Sequence, residues 1–294
     1  MGSVLSPTTQ RIAPTVRNVP IRGPLSPFLK WAGGKSQLVQ SLAEYAPQGF
    51  NRYLEPFLGG GALFFFLQPR ASLLNDRNEE LIVTYRVVKQ RLEELIRLLR
   101  SYPHTKEFYY ELRAQDPMML DPVSRGARLI YLNRTCYNGL YRVNRRNQFN
   151  VPFGAYENPT ICDETKLRAA SRALQGVHLL CEDYSSFLYR EAQAGDFIYL
   201  DPPYHPVSQY SDFKRYTSSF FYERDQEKLA ALTRELVARD CYVLASNSDT
   251  PFIRNLYDQF KIVTLRARRN INKDGKGRGL VPELVIVCRP KSFN

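Results

Sequence analysis

The sequence predicts an α/β fold, a sandwich of helices around a mainly parallel sheet that ends in an antiparallel hairpin. Apolar runs of strand length alternate with stretches of helical periodicity over most of the 294 residues. The last two apolar runs are joined by a polar, glycine-rich link at 270–282, which favours a hairpin over a helix. A middle region at 77–175 lacks strand-like runs, so we expect an inserted, mostly helical subdomain.

The predicted elements follow one another in a regular order. The strands are RYLEPF, ASLLND, VHLLCED, DFIYLD, CYVLASN, FKIVTLRARR and ELVIVCRP. A glycine turn follows the first strand, and ALFFFL begins the next helix. One long helix is predicted by apolar residues at steps of three and four, namely Leu81, Tyr85, Val88, Leu92, Leu95 and Leu99. A later helix places Leu229, Leu232 and Leu236 on one face.

Three parts of the chain differ in composition. Residues 1–26 are rich in Pro, Ser and Thr, carry arginines but no acid, and predict a flexible basic arm. Residues 27–76 and 176–294 contain the strands and predict one discontinuous α/β domain. The arm is either a nucleic-acid contact or an unstructured leader.

The charge balance suggests a polyanionic partner. Lysine and arginine exceed aspartate and glutamate by 41 − 29 = 12, although a basic surface kept for solubility is the alternative. The 5 cysteines and 3 histidines are scattered without metal-ligand spacing, so we expect reduced thiols and no metal. We find neither a membrane-length apolar run nor a signal peptide, and we expect a cytoplasmic protein.

The middle region has the residue types that a base-reading surface needs. No acid lies between Asp121 and Glu157, and aromatic and amide side chains alternate there with arginines. Arginine binds phosphates and guanine edges, amides pair with bases, and aromatics stack on them. A solvated basic face is the alternative. The arginines are Arg125, Arg128, Arg134, Arg142, Arg145 and Arg146.

Two glycine clusters lie near the start of the α/β domain. FLKWAGGKSQL resembles a phosphate-binding P-loop, but Leu29 stands where its first glycine is required, which disfavours a nucleotide triphosphatase. We expect a helix to begin at Ser36. EPFLGGGALFF is the strand–glycine–helix turn that holds a cofactor in doubly wound folds. Asp76 follows Gly59 by 76 − 59 = 17 positions, which suits ribose binding, whereas Phe64 breaks the dinucleotide spacing. An adenosine cofactor is therefore favoured over NAD.

The strand DFIYLD ends in Asp201-Pro202-Pro203-Tyr204. Ligands bind at such strand ends in open α/β sheets. Asp201 and the carbonyl of Pro202 are suited to accept both hydrogens of an exocyclic amine while Tyr204 stacks on its ring. This frees the nitrogen lone pair for a methyl group from a sulfonium donor, and the acid stabilises the developing positive charge. An ordinary turn is the alternative.

The chain resembles the Dam-type DNA adenine methylases, of the alpha group, from about Phe28 to the last strand. The motifs are FLKWAGGK, EPFLGGGALFF, NDRNEEL, YNGLYRVN, FNVPFGAY and DPPY. The resemblance implies a Rossmann-like S-adenosylmethionine methyltransferase sandwich with 77–175 as target-recognition subdomain. It also implies adenine-N6 methylation of double-stranded DNA, typically at GATC, by base flipping. A monomer is expected.

The resemblance further implies roles for individual residues. Asp201, Pro202, Pro203 and Tyr204 would hold the target adenine, and Asp183-Tyr184 would bracket the cofactor's adenine. The S-adenosylmethionine site would comprise Trp31, Gly34, Lys35, Glu55, Pro56, Phe57, Gly59, Gly60, Gly61, Asp76, Asp183, Tyr184 and Asp201. The DNA contacts would be Lys30, Arg134, Tyr137, Asn138, Leu140, Arg142, Asn144, Pro152 and Tyr156.

Three questions stay open at this point. A cytosine-N4 methyltransferase needs the same amine-activating turn, and a non-catalytic DNA-binding protein on the same scaffold is the alternative from another class. The sequence does not say whether the enzyme serves restriction, replication and repair, or a mobile element. Lys273, Lys276 and Arg278 of the terminal hairpin either bind phosphates or form a solvated loop.

Overall fold

A seven-stranded sheet lies at the centre of the computed structural model, which describes residues 25–206, 221–268 and 280–293. The strands are β1 Tyr53–Glu55, β2 Ser72–Asn75, β3 His178–Leu180, β4 Phe197–Leu200, β5 Tyr242–Ser248, β6 Lys261–Arg268 and β7 Leu280–Cys288. Their order is β3-β2-β1-β4-β5-β7-β6, with β1 to β5 parallel and β7 antiparallel to both neighbours. The predicted α/β fold with a terminal hairpin is confirmed.

Helices cover both faces of the sheet and fill the region between β2 and β3. They are α1 Val39–Ala43, α2 Ala62–Leu67, α3 Glu79–Gln90, α4 Leu92–Ser101, α5 Lys106–Ala114, α6 Pro122–Thr135, α7 Glu164–Ala173, α8 Tyr184–Glu191, α9 Glu223–Ala238 and α10 Pro251–Leu256. The face of α9 that was predicted from Leu229, Leu232 and Leu236 is buried. Within the described ranges, no helix has the length and apolar character to cross a membrane.

Two predicted helix boundaries were wrong. The single long helix is divided into α3 and α4 at Arg91, whose backbone (φ −131°, ψ 40°) is not helical. The apolar periodicity continues across the break because both helices pack against α6. The helix expected at Ser36 begins at Val39, because the amide of Leu38 first closes a turn onto the carbonyl oxygen of Lys35 (2.8 Å).

The strand order places a topological switch point between β1 and β4. The chain leaves β1 toward β2 on one side and leaves β4 toward β5 on the other, so the two following loops diverge and leave a crevice. Successive residues of the strands face opposite layers. Tyr53 and Phe197 join the core on one face, and Leu54 and Ile198 join the core on the other.

The region between β2 and β3 is mostly helical, as predicted, and its core is continuous with that of the sheet. Buried Tyr109 and Tyr131 belong to the same apolar cluster as Phe28 and Tyr53. The structure therefore does not separate residues 77–175 as a unit with its own core, and their role as a target-recognition subdomain stays a prediction. Residues 1–24 of the predicted arm and the hairpin residues Lys273, Lys276 and Arg278 lie outside the described residues.

Candidate active site

A cleft of about 2130 Å³ opens at the switch point between β1 and β4. The glycine turn that follows β1 and the Asp201–Tyr204 turn that follows β4 both line it. The far wall comes from the helical insert, including Tyr141 and Asn144. Two motifs that lie more than a hundred residues apart in the chain thus meet in one cavity, together with the predicted recognition segment.

The glycine turn is held in shape by buried polar contacts. Gly59 and Gly61 have left-handed backbones (φ +47° and +65°), which favour glycine. Asp76 accepts from the amides of Gly59 and Asn78, both at 2.9 Å, and the hydroxyl of Tyr85 donates to the Gly59 carbonyl (3.2 Å). One oxygen of Asp76 therefore stabilises the glycine turn and the other binds the amide of Asn78 after β2, and the binding of a ribose by Asp76 stays a prediction.

Trp31 packs directly on this turn. A Cβ atom at Gly59 would lie only 2.8 Å from Cδ1 of the indole, so a side chain there would displace the ring. The indole also stacks on Tyr141 of the insert, with ring centroids 4.9 Å apart and planes inclined by 21°. Trp31 thus joins the glycine turn to the insert.

An aromatic cluster borders the cleft beyond the glycine turn. Phe57 lies 5.0 Å from Tyr184 and 6.0 Å from Phe221, measured between ring centroids. Asp183 caps α8 through the amide and hydroxyl of Ser185. Sequence reasoning missed Phe221, because it lies in a loop without a recognisable motif. The cluster provides flat apolar surfaces on which another ring could stack.

The Asp201–Tyr204 turn is bound to groups from distant parts of the chain. The ammonium of Lys35 lies 2.8 Å from Oδ1 of Asp201 and 4.7 Å from the ring centre of Tyr204. The hydroxyl of Tyr204 donates to Glu283 on β7 (2.7 Å), which lies 3.9 Å from Lys35. Burial raises the pKa of Asp201, and the nearby Lys35 charge partly offsets that increase. Sequence reasoning missed Glu283.

Glu55, at the end of β1, is a buried acid in this cleft. Its carboxylate accepts from the hydroxyl of Tyr53 (2.8 Å). Burial raises the pKa of Glu55 well above its ordinary value, and the charges of Asp201 and Asp76 raise it further. A carboxyl with a raised pKa stabilises the fold below its ordinary pKa, and this contribution is lost as the pH rises through the raised value.

We therefore expect Glu55→Gln to gain stability over the wild type as the pH rises. Glutamine keeps an acceptor for Tyr53 but needs no deprotonation, and each unit by which the fold raises the pKa of Glu55 corresponds to ~1.4 kcal/mol. Urea denaturation between about pH 5 and about pH 8 measures the difference. Glu44→Gln, at an exposed position, serves as control and should stay within about 0.5 kcal/mol of the wild type. A pH-independent difference for Glu55→Gln would contradict the expectation.

The predicted DNA-contact residues are brought together at the rim of the cleft. Short antiparallel bridges join Cys136 to Phe153 and Val143 to Phe149, so the YNGLYRVN and FNVPFGAY motifs lie side by side. Tyr137 is 47% exposed, and with Tyr189 and Tyr222 it is one of the most exposed aromatic residues that the structure describes. The neighbouring residues Asn138, Leu140, Asn144, Pro152 and Tyr156 lie in the same pair of segments, partly or fully exposed.

Arg142 and Lys30 are oriented by asparagines that sequence reasoning missed. Arg142 donates from Nε to Oδ1 of Asn150 (2.7 Å) and from Nη2 to the carbonyl of Asn150 (3.2 Å). Buried Asn133 on α6 binds both backbone groups of Lys30, at 2.9 and 2.7 Å. The ammonium of Lys30 lies 5.3 Å from the ring centre of Tyr156.

Three arginines that were expected on the base-reading surface are bound to other groups of the protein, although each also lines the cleft. Arg125 pairs with Glu79 and Glu80, and Arg128 donates to two carbonyl oxygens of α5. Arg134 donates to the carbonyl of Phe28. Burial lowers the pKa of Arg128 and of Arg134. The absence of acids in this part of the sequence was misleading, because the carboxylates that pair with Arg125 precede it.

The fold and the cleft together define a protein of the Rossmann-like α/β class, with a glycine turn and a polar second turn at the same switch point. Residues 31–271 match the family of D12 class N6 adenine-specific DNA methyltransferases. The chain belongs to this family. It is therefore an adenine-specific DNA methyltransferase, and the cytosine-N4 and non-catalytic alternatives are not supported.

Individual relatives agree with the family. The chain is 40% identical over 270 residues to the type II methyltransferase M1.LlaDCHI of Lactococcus lactis subsp. cremoris, covering 89% of this chain and 95% of that protein. It is 39% identical to the type II methyltransferase M.MjaIII of Methanocaldococcus jannaschii, over 90% of this chain and 99% of that protein. It is 37% identical to the DNA adenine methylase of Escherichia coli K12, over 90% of this chain and 95% of that protein.

Proposed function

We propose that the chain transfers a methyl group from S-adenosylmethionine to the N6 amine of adenine in double-stranded DNA, at GATC, after turning the base out of the duplex. The observation that carries the proposal is the meeting of the glycine turn and the Asp201–Tyr204 turn in one cleft at the switch point. A methyl donor and an amine must approach each other closely, and these two turns are the parts of the chain suited to hold them.

The cofactor assignment rests on the chemistry of the residues around the glycine turn. The Phe57, Tyr184 and Phe221 rings offer stacking surfaces for an adenine, and the turn lets backbone approach a ligand closely. The carboxylates of Glu55 and Asp201 face the same cleft and suit a cationic ligand. S-adenosylmethionine supplies the sulfonium methyl group that these residues would present to the amine.

The position of Lys35 supports the proposed role of the Asp201–Tyr204 turn. Its ammonium donates to Asp201 and lies over the Tyr204 ring, and we propose the same two contacts for the target amine. An adenine in this place would have its N–H hydrogens accepted by Asp201 and the Pro202 carbonyl. Its ring would stack on Tyr204, and Lys35 would have to move away from Asp201 as it enters.

The proposed base flipping rests on the exposed end of the recognition segment. Tyr137 projects from the rim, and Asn138 beside it has a left-handed backbone (φ +56°). An aromatic ring in that position suits the gap left by an extruded base, a step that costs a few kcal/mol. Arg142, on the same segment, suits a guanine edge of the site.

Protection of plasmid DNA tests the reaction and the site together. Plasmid is incubated with protein and S-adenosylmethionine and then cut with restriction enzymes that differ in sensitivity to GATC methylation. We expect resistance to the enzyme that methyl-adenine blocks, at GATC and at no other site. Labelled methyl groups in DNA without this resistance would overturn the GATC assignment. No transfer of label to DNA would overturn the proposed reaction.

A further inference from the structure

We propose that Gln226 and Asn247, two buried amides outside the known motifs, are positioning residues that fix the Asp201–Tyr204 turn in its reactive shape. The inference rests on the proposed function, because it concerns the turn that would hold the target amine. Neither residue lines the cleft, so each would act through the backbone of the turn and not through a substrate.

Gln226 holds the turn from the side of α9. Its Nε2 donates to the carbonyl oxygen of Pro203 (2.8 Å), and the residue is fully buried. Prolines 202 and 203 have no N–H groups, so this part of the turn cannot be held by its own amides. The bond fixes the peptide between Pro203 and Tyr204, which lies next to the Pro202 carbonyl that we assign to the amine.

Asn247 connects Gln226 to the other side of Tyr204. Its Nδ2 donates to Oε1 of Gln226 (2.9 Å), and its Oδ1 accepts from the amide of His205 (3.1 Å). Ser248 then donates to the carbonyl of His205 (2.6 Å). Asn247 is 2% exposed. The backbone is therefore bound on both sides of Tyr204 by side chains from α9 and from the end of β5.

The four hydrogen bonds form one connected network that ends on the backbone of the turn. Gln226 and Asn247 each use both ends of the amide. One bond of each ends on the backbone, at 203 and 205, and Ser248 adds a third bond at 205. A connected, satisfied network in a protein interior is rigid. Displacement of reacting groups by about 1 Å can lower a rate roughly 100-fold, so the placement of this turn should affect methyl transfer directly.

Gln226→Met tests the inference, because methionine fills the same volume without the two polar groups. In single-turnover reactions with saturating S-adenosylmethionine and cognate duplex, we expect the rate constant to fall roughly 10- to 100-fold, with cofactor affinity nearly unchanged. Thr233→Val is the matched control. Thr233 is also buried on α9, where its hydroxyl donates to the carbonyl of Leu229 (2.8 Å), and it has no contact with the Asp201–Tyr204 turn among its hydrogen bonds in the described residues. It should keep the wild-type rate.

Gln226→Glu provides a second, pH-dependent measurement. A carboxylate cannot donate to the Pro203 carbonyl, whereas a protonated carboxyl can. We expect the rate relative to the wild type to rise as the pH is lowered from about 8 to about 6, with folding checked at each pH by thermal melting. A general loss of packing would not produce this profile, and the variant remains informative if the methionine variant fails to fold.

The outcomes separate the two proposals. A wild-type protein that methylates DNA, together with a folded Gln226→Met variant of equal rate, would overturn the positioning role alone. A relative rate of Gln226→Glu that does not change with pH would also overturn it. A wild-type protein that transfers no methyl group to DNA would instead overturn the proposed function.

Discussion

Asp201→Asn is expected to lower the rate constant of methyl transfer by ~10²- to 10³-fold. This is the range for removal of one group that stabilises charge at a reacting centre. Asparagine can still accept one hydrogen from an amine, but it lacks the negative charge that stabilises the positive nitrogen formed by methylation. Binding of S-adenosylmethionine should persist. The chain's single tryptophan, Trp31, packs on the glycine turn, so its fluorescence reports cofactor binding independently of catalysis.

The neighbouring strand offers a closely matched control. Asp249 follows β5 as Asp201 follows β4, its side chain is 21% exposed against 20%, and it pairs with Arg254 at 2.7 Å. Asp249→Asn removes the same charge near the same edge of the sheet without touching the turn. It should retain wild-type activity. Full activity in Asp201→Asn, or equal losses in both variants, would remove Asp201 from the chemistry.

The fold and the two central motifs could be predicted because their signals are local. The glycine turn and the Asp201–Tyr204 turn each follow a strand directly, so a correct reading of β1 and β4 places both at the carboxyl edge of one sheet. The strand order brings them together without any further information. The break at Arg91 was missed because both helices bury one continuous apolar face against α6.

The remaining errors and omissions concern partners that are distant in the chain. Glu283 on β7 contacts Tyr204, and Gln226 on α9 contacts Pro203. Neither contact can be predicted from the residues that adjoin these positions in the sequence. The buried arginines also show that local sequence does not reveal distant partners. Composition indicated a basic surface, but the orientation of Arg125 depends on Glu80, which lies 45 residues away in the chain. Composition predicts charge, whereas tertiary contacts decide which charges reach solvent.

Arg142→Ala is expected to reduce kcat/KM at the cognate site by ~1–3 kcal/mol, about 5- to 150-fold, the range for loss of one bidentate contact to guanine. The two hydrogen bonds to Asn150 restrain the direction of the guanidinium, so the side chain is oriented before DNA arrives. A preorganised group loses less conformational freedom on binding. The measurement compares the cognate duplex with a duplex in which the guanine is replaced.

The comparison of two arginines distinguishes base reading from charge. Arg142→Ala should bring the rates on the two duplexes closer together, because the wild-type contact distinguishes them. Arg145 lies exposed three residues further along the same segment. Arg145→Ala should weaken the binding of both duplexes to the same extent and reduce the salt dependence of that binding. If Arg142→Ala lowers both rates equally, Arg142 binds phosphate, and the discrimination must come from other side chains of the rim, because a phosphate contact carries no sequence information.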